Sequence, residues 1–148
     1  MNLHMKQIRL ASRDWIGLAI VLAGLVLRLR QYLSNRSLWL DEAMLANNIV
    51  SRSFGGLMQW LDYDQQAPIG FLWSQKIVIL VFGNNEYVLR FIPFLAGCAA
   101  LALMYLLTRR LSPISGNAAL ALFAVSNTLV YYSSEAKQYN VDVALALG

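Results

Sequence analysis

The feature that most constrains this chain is a pair of long uncharged runs in its second half. Eighteen residues without charge separate Arg90 from Arg109, and another 24 separate Arg110 from Glu135. A helix of 18 residues measures about 27 Å, close to the hydrocarbon thickness of a membrane. Charged residues make up only 14% of the chain and hydrophobic residues 58%, against roughly 25% and 45–50% in soluble domains. We therefore exclude a soluble globular domain and predict an integral membrane protein.

Apolar segments define the predicted topology. Spans are expected at residues 14–33, 90–109 and 113–134, with the start of a fourth near 138. The first reaches full length if Arg28 and Arg30 snorkel to the interface at its end. Its basic start also fits a cleaved signal peptide, but no small-residue cleavage site follows Leu27, so a retained anchor is favoured. Because the run 141–148 has barely begun at the last residue, we expect an N-terminal fragment of a longer multi-span protein, inactive by itself.

Residues 34–89 are predicted to form an external loop between the first two spans. Its apolar segment 70–82 is short and interrupted by Lys76, which favours an interfacial position. A second amphipathic helix is expected from Glu42 onward, broken at Gly55-Gly56, with apolar residues at near-helical spacing: Leu45, Ile49, Phe54, Leu57 and Leu61. The predicted fold class is thus all-α, a polytopic transmembrane helical bundle with interfacial helices in the first external loop.

The distribution of basic residues bears on orientation and partners. The connection that holds Arg109 and Arg110 returns to the side of the N-terminal basic residues, Lys6, Arg9 and Arg13. The positive-inside rule makes that side cytoplasmic, although three arginines fall on the other side: Arg28, Arg30 and Arg36. The net charge of +4 is scattered among apolar runs. This pattern is typical of contacts with membrane lipid phosphates and does not indicate nucleic acid.

Two adjacent acids, Asp41 and Glu42, follow the first span and are candidates for both structure and chemistry. Aspartate is a preferred helix N-cap and glutamate is favourable in a first helical turn, so the pair can simply start a helix. A carboxylate at the boundary of water and lipid can instead take a proton from an acceptor hydroxyl or hold a divalent cation. Both roles are compatible, since a capped helix is a rigid platform.

Two further polar segments are candidates. Residues 62–68 form a polar turn before Pro68, for which ordinary turn chemistry is sufficient. The segment 131–139 follows the third span. If a helix continues through it, one face carries Glu135, Gln138, Tyr139 and Asp142. That face can point into a bundle interior, or the helix can lie at the interface with Lys137 snorkelling.

In this order, the segments resemble the N-terminal part of the GT-C glycosyltransferases. The most similar members are the protein O-mannosyltransferase-like group, the aminoarabinose lipid A transferases and RgtA/B/C/D-like enzymes. The resemblance covers about residues 20–148 and rests on Ser-Leu-Trp-Leu-Asp-Glu-Ala at 37–43, Gln-Ala-Pro-Ile-Gly-Phe at 66–71, Phe-Gly-Asn-Asn-Glu-Tyr-Val-Leu-Arg-Phe at 82–91 and Tyr-Ser-Ser-Glu-Ala-Lys-Gln-Tyr at 132–139.

The resemblance implies a multi-pass enzyme of the bacterial inner or plasma membrane. Such enzymes move a sugar, with inversion, from a polyprenyl-phosphate donor to a lipid, glycan or protein acceptor on the non-cytoplasmic side. It implies that Asp41 is the catalytic carboxylate and Glu42 the neighbouring acid of the same motif. The positions it implies for donor phosphate or substrate are Arg90, Glu135, Lys137, Tyr139 and Gln66. Aminoarabinose transferases carry a lysine where this chain has Gln66, so the donor contact or the sugar class is expected to differ.

Two other functions remain open from the sequence. A transporter fragment would be expected to carry charges within its spans, yet the run 91–108 has none. A non-catalytic membrane anchor or assembly subunit would use the loop acids only as caps and turns. A divalent cation held by the loop carboxylates is the alternative to general-base catalysis.

Overall fold

A computed structural model of the chain describes residues 2–148, with backbone only for residues 2–14 and Pro113, so the N-terminal basic side chains lie outside the described set. The described residues form seven α-helices and no strand. The helices are α1 (Asn2–Leu33), α2 (Leu40–Ser51), α3 (Ile69–Phe82), α4 (Glu86–Thr108), α5 (Pro113–Val125), α6 (Asn127–Tyr132) and α7 (Tyr139–Leu147). Residues 15–33 of α1 and the whole of α4 are long and apolar enough to cross a membrane. The predicted all-α membrane bundle is confirmed.

Glycines let α1 pack closely against α4. A Cβ atom on Gly17 would lie 2.8 Å from Tyr105 Cε2, and one on Gly24 would lie 2.8 Å from Leu101 Cδ2. Because residue numbers rise along α1 as they fall along α4, the two helices are antiparallel. Close approach at small residues is how helices gain van der Waals contact in lipid. The apolar centre of the bundle forms around this contact and contains Leu101, Leu120 and Ala124.

Arg28 does not snorkel to the interface as expected. Its side chain is only 1% exposed and points into the bundle. Nη1 donates hydrogen bonds to the carbonyl oxygens of Gly24, at 3.1 Å, and Ala124, at 3.2 Å. The prediction was wrong because Gly24 leaves room, one turn away, for a guanidinium between α1 and α5.

The loop helices α2 and α3 pack in a core of their own. That core joins α2, α3, the start of α4 and the turn before α7, with members that include Leu45, Ile49, Leu72, Leu89 and Ala136. The helix expected to run from Glu42 to Gly55 ends earlier, at Ser51. Lys76 Nζ binds the last carbonyls of α2, those of Ile49 at 3.0 Å and Val50 at 2.9 Å. A cation at this position satisfies carbonyls that the helix itself leaves unpaired.

The third apolar run is divided into two helices at Ser126. The backbone leaves the helical region there, with φ −55° and ψ 114°, and the Ser126 hydroxyl accepts a hydrogen bond from the Leu129 amide to start α6. The chain is not helical at residues 133–138. The single face proposed for Glu135 to Asp142 on a continuing helix is therefore wrong. The next helix, α7, begins at Tyr139, close to the predicted residue 138.

Candidate active site

Glu42 is a buried carboxylate that joins two distant parts of the chain. Oε2 accepts a hydrogen bond from the Trp39 amide at 2.9 Å, and Oε1 accepts one from the Ala136 amide at 2.7 Å. Because Glu42 is the third residue of α2, its hydrogen bond with the Trp39 amide caps the N-terminus of this helix. The N-cap expected for Asp41 is wrong: Trp39 is the N-cap residue, and Asp41 lies in the first turn.

Arg90 of α4 completes the buried cluster around Glu42. Each side chain is 1% exposed, and Arg90 Nη2 lies 3.4 Å from Glu42 Oε2. The same guanidinium donates to the carbonyl oxygens of Arg36 and Ser37 in the segment between α1 and α2. These additional hydrogen bonds offset part of the cost of burying the ion pair, while Arg90 Nε is buried without a partner among the described residues. The cluster fixes α2, and thus Asp41, relative to α4.

Asp41, the neighbour of Glu42, has the opposite environment. Its side chain is 57% exposed, and its carboxylate lies 3.4 Å from Lys137 Nζ. Lys137 is itself only 8% exposed along its side chain and donates to Gln65 Oε1 at 2.7 Å. The arrangement is an accessible carboxylate beside a positioned ammonium group, which is suited to proton transfer next to a developing negative charge.

Glu135 forms the other side of this polar end, by which we mean Arg36, Asp41, Glu42, Arg90 and residues 133–137. Its Oε1 lies 3.4 Å from Arg36 Nη2, and the Arg36 guanidinium lies 3.8 Å from the centre of the Tyr131 ring. Burial raises the pKa of Glu135 above its ordinary value of 4.5, a hydrogen bond with Tyr131 opposes the rise, and the nearby Glu42 adds to it. Arg36 lowers the pKa but offsets only part of the rise, because desolvation is the largest cause.

The remaining predicted site residues lie at the edge of the polar end. Tyr139 is 38% exposed, and its ring centre lies 4.6 Å from that of Tyr132 with the two rings tilted by 43°. It is within electrostatic reach of Asp41 and Glu135. Gln66 is exposed and lines a groove, whereas its neighbour Gln65 makes the contact with Lys137. The structure thus brings together Asp41, Glu42, Arg90, Glu135, Lys137 and Tyr139, with Gln66 set apart.

Sequence reasoning did not identify Arg36 and Gln65 as members of the site. Arg36 had a signal, since it was one of three arginines that violated the positive-inside pattern. In the structure Arg36 is paired with Glu135. Gln65 had no comparable signal. Its position depends on the left-handed backbone of the two residues before it, Tyr63 with φ 63° and Asp64 with φ 52°.

The residues present do not fit a divalent cation bound by both loop acids. The two Glu42 oxygens already accept hydrogen bonds from Trp39, Ala136 and Arg90. Within the described part of the chain, no group of three or more His, Cys, Asp and Glu side chains comes together as a metal site. We therefore derive no step through a metal.

The fold and this acid–base cluster define a helical membrane protein with a site at one end of the bundle. The family model described as dolichyl-phosphate-mannose-protein mannosyltransferase matches residues 66–148, more than half of the chain. The chain belongs to this family of membrane glycosyltransferases of GT-C type. No curated protein and no solved structure matches it.

The matched range includes Arg90, Glu135 and Lys137 but begins after the loop acids, Asp41 and Glu42. Asp41 and Glu42 are joined to it by the fold: Lys137 Nζ lies 3.4 Å from the Asp41 carboxylate, and the Ala136 amide donates to Glu42 at 2.7 Å. The unmatched loop and the matched segment therefore build one site.

Proposed function

We propose that the whole protein transfers a sugar from a polyprenyl-phosphate donor to an acceptor hydroxyl, with inversion, on the non-cytoplasmic side of the membrane. Membership of a membrane glycosyltransferase family supports a lipid-linked donor and an acceptor in general terms. The observation that carries the assignment of roles is the contrast between two neighbours, Asp41 at 57% exposure and Glu42 at 1%.

In the proposed reaction, Asp41 is the general base. The acceptor oxygen attacks the anomeric carbon while its proton passes to the Asp41 carboxylate. The bond from the anomeric carbon to the phosphate oxygen breaks, and its electron pair leaves with the polyprenyl phosphate. Attack opposite the leaving group inverts the anomeric centre. A positioned base typically contributes about 10²–10⁴-fold to such a step.

Lys137 is the proposed contact for the departing phosphate. Its ammonium group is held by Gln65 and lies beside Asp41, so it is in place where negative charge develops. Arg90, the other candidate, has its guanidinium engaged by Glu42 and by the carbonyls of Arg36 and Ser37. We assign Arg90 and Glu42 to positioning α2, and Glu135 and Tyr139 to the border of the substrate site.

The proposed orientation follows from the two ends of α4. Arg109 and Arg110 lie at the end opposite to Asp41, near the start of the apolar part of α1, since Tyr105 lies against Gly17. Basic connections favour the cytoplasmic side. In this topology Asp41 faces the outside, in a multi-pass protein of the plasma membrane.

The test is transfer of radiolabelled sugar from a polyprenyl-phosphate donor by the full-length protein carrying Asp41→Asn. We expect a loss of about 10²–10⁴-fold with normal membrane insertion. Asp64→Asn is the matched control, because Asp64 is an exposed loop acid whose left-handed backbone asparagine tolerates. Full activity of Asp41→Asn would refute the assignment, and no transfer by the wild-type protein would refute the proposed function.

A further inference from the structure

A groove lined by uncharged residues shares Gln65 with the candidate active site. It has a volume of about 290 Å³ and lies between the segment 57–61 and the segment leading into α3. Gln65 belongs both to its lining and to the contact with Lys137, which is the partner of Asp41. Two side chains that contact each other, Gln65 and Lys137, therefore lie between the groove and the Asp41 carboxylate. Its size is at the small end of ligand pockets, which suits a monosaccharide unit better than a large ligand.

Trp60 is the most exposed large hydrophobic residue at this groove. Its side chain is 88% exposed, yet its backbone is held, because the Trp60 carbonyl accepts a hydrogen bond from Arg52 Nη1 at 2.8 Å. Arg52 is fixed in turn by Asp62, at 2.8 Å. The indole ring is therefore a flat apolar surface that is open to a ligand, carried on a backbone whose position is fixed.

Amide side chains supply the polar part of the groove. Gln59 and Gln66 line it, and within the described residues neither side chain makes an internal hydrogen bond. An amide offers both donors and an acceptor, which is what the alternating hydroxyl groups of a sugar require. An aromatic face against the C–H face of a pyranose, with amides at its rim, is a combination suited to a neutral carbohydrate.

None of the described residues that line the groove is charged, and this favours the acceptor over the donor as its ligand. A polyprenyl-phosphate donor brings negative charge and requires a cation, and the nearest cation in the site, Lys137, lies on the far side of Gln65. A lipid chain would not use the amides. We propose that this groove binds a neutral glycosyl unit of the glycan acceptor whose hydroxyl reacts at Asp41. This proposal rests on the proposed function and adds the class of acceptor.

The experiment uses full-length protein in membranes, saturating radiolabelled polyprenyl-phosphate sugar, and a neutral glycan fraction extracted from the host envelope as titrated acceptor. Label is measured in glycan, in polypeptide and in free sugar released by hydrolysis. The variants are Trp60→Ala and Trp60→Phe. Trp15→Ala is the matched control, because Trp15 is also exposed, at 75%, but lies at the opposite end of the bundle.

We expect Trp60→Ala to raise the glycan concentration for half-maximal transfer about tenfold, while hydrolysis of the donor is unchanged and Trp60→Phe is intermediate. An effect no larger than that of Trp15→Ala would overturn the proposal, and so would label that enters polypeptide alone. If the wild-type protein neither transfers nor hydrolyses the donor, the proposed function fails and the groove assignment fails with it. If the wild-type protein transfers or hydrolyses the donor but Trp60→Ala behaves like Trp15→Ala, only the groove assignment fails.

Discussion

The polar end and the apolar centre of the bundle each bury an arginine, but in different ways. Arg90 and Arg28 are both 1% exposed. Arg90 lies 3.4 Å from the carboxylate of Glu42, whereas the hydrogen bonds of Arg28 go to two carbonyl oxygens, those of Gly24 and Ala124. Removing one member of a buried ion pair leaves an uncompensated charge, but removing a cation from carbonyls does not. The structure therefore concentrates interdependent charges at the end that carries Asp41.

The largest effect should distinguish these two arginines directly. Arg90→Met leaves Glu42 buried without its cation and should lower the free energy of unfolding by about 3–5 kcal/mol. Arg28→Met removes two hydrogen bonds to neutral acceptors and should cost less, about 1.5 kcal/mol or below. Thermal or denaturant unfolding of the full-length protein in detergent measures both. Equal losses would contradict the difference between the two regions.

A second comparison concerns the close contact of α4 with the polar end. A Cβ atom at Gly97 would lie 2.8 Å from both Asn140 Nδ2 and Ser133 Cβ. Gly97→Ala should therefore destabilise the protein by about 1–3 kcal/mol through overpacking.

Gly70→Ala is the matched control for Gly97→Ala. Gly70 also lies in a helix, but a Cβ there has no neighbour within 4 Å. Because alanine is the better helix former, this variant should gain about 0.4–1 kcal/mol. The same unfolding experiment serves both, and a loss at Gly70 as large as that at Gly97 would show that the contact is not the cause.

The smallest expected effect is a pH dependence from Glu135. Burial raises the pKa of Glu135 above 4.5, so the folded protein holds a proton that the unfolded chain releases. Its contribution to stability is thus fully present below the unfolded pKa and is lost as the pH rises from about that value through the raised folded pKa. Glu135→Gln cannot titrate and should flatten the melting temperature over this range. An unchanged profile would mean that Glu135 is not the titrating group.

The sequence was sufficient for features that depend on local pattern. Uncharged runs predicted the helical membrane fold, and α7 begins at Tyr139, one residue from the start predicted for a fourth span, near residue 138. The break at Ser126 was not predicted, although a serine that can cap a new helix is a local signal for it.

Features that depend on packing could not be predicted in this way. The inward position of Arg28 requires the space left by Gly24, and the choice of Gln65 over Gln66 requires the turn at Tyr63 and Asp64. The residue pattern also did not predict that the adjacent acids, Asp41 and Glu42, lie in different environments. Their environments differ because Glu42 is the third residue of α2. At that position its carboxylate accepts hydrogen bonds from the Ala136 amide and from Arg90.

The division of roles between these acids is tested most directly by single-turnover transfer from prebound donor, measured per folded molecule. Asp41→Asn should melt and bind donor like the wild-type protein, yet slow the chemical step by about 10²–10⁴-fold. Glu42→Gln should lower the melting temperature, while its surviving folded molecules retain a chemical step faster than that of Asp41→Asn. A wild-type rate for folded Asp41→Asn, with the chemical step lost in folded Glu42→Gln, would contradict the account.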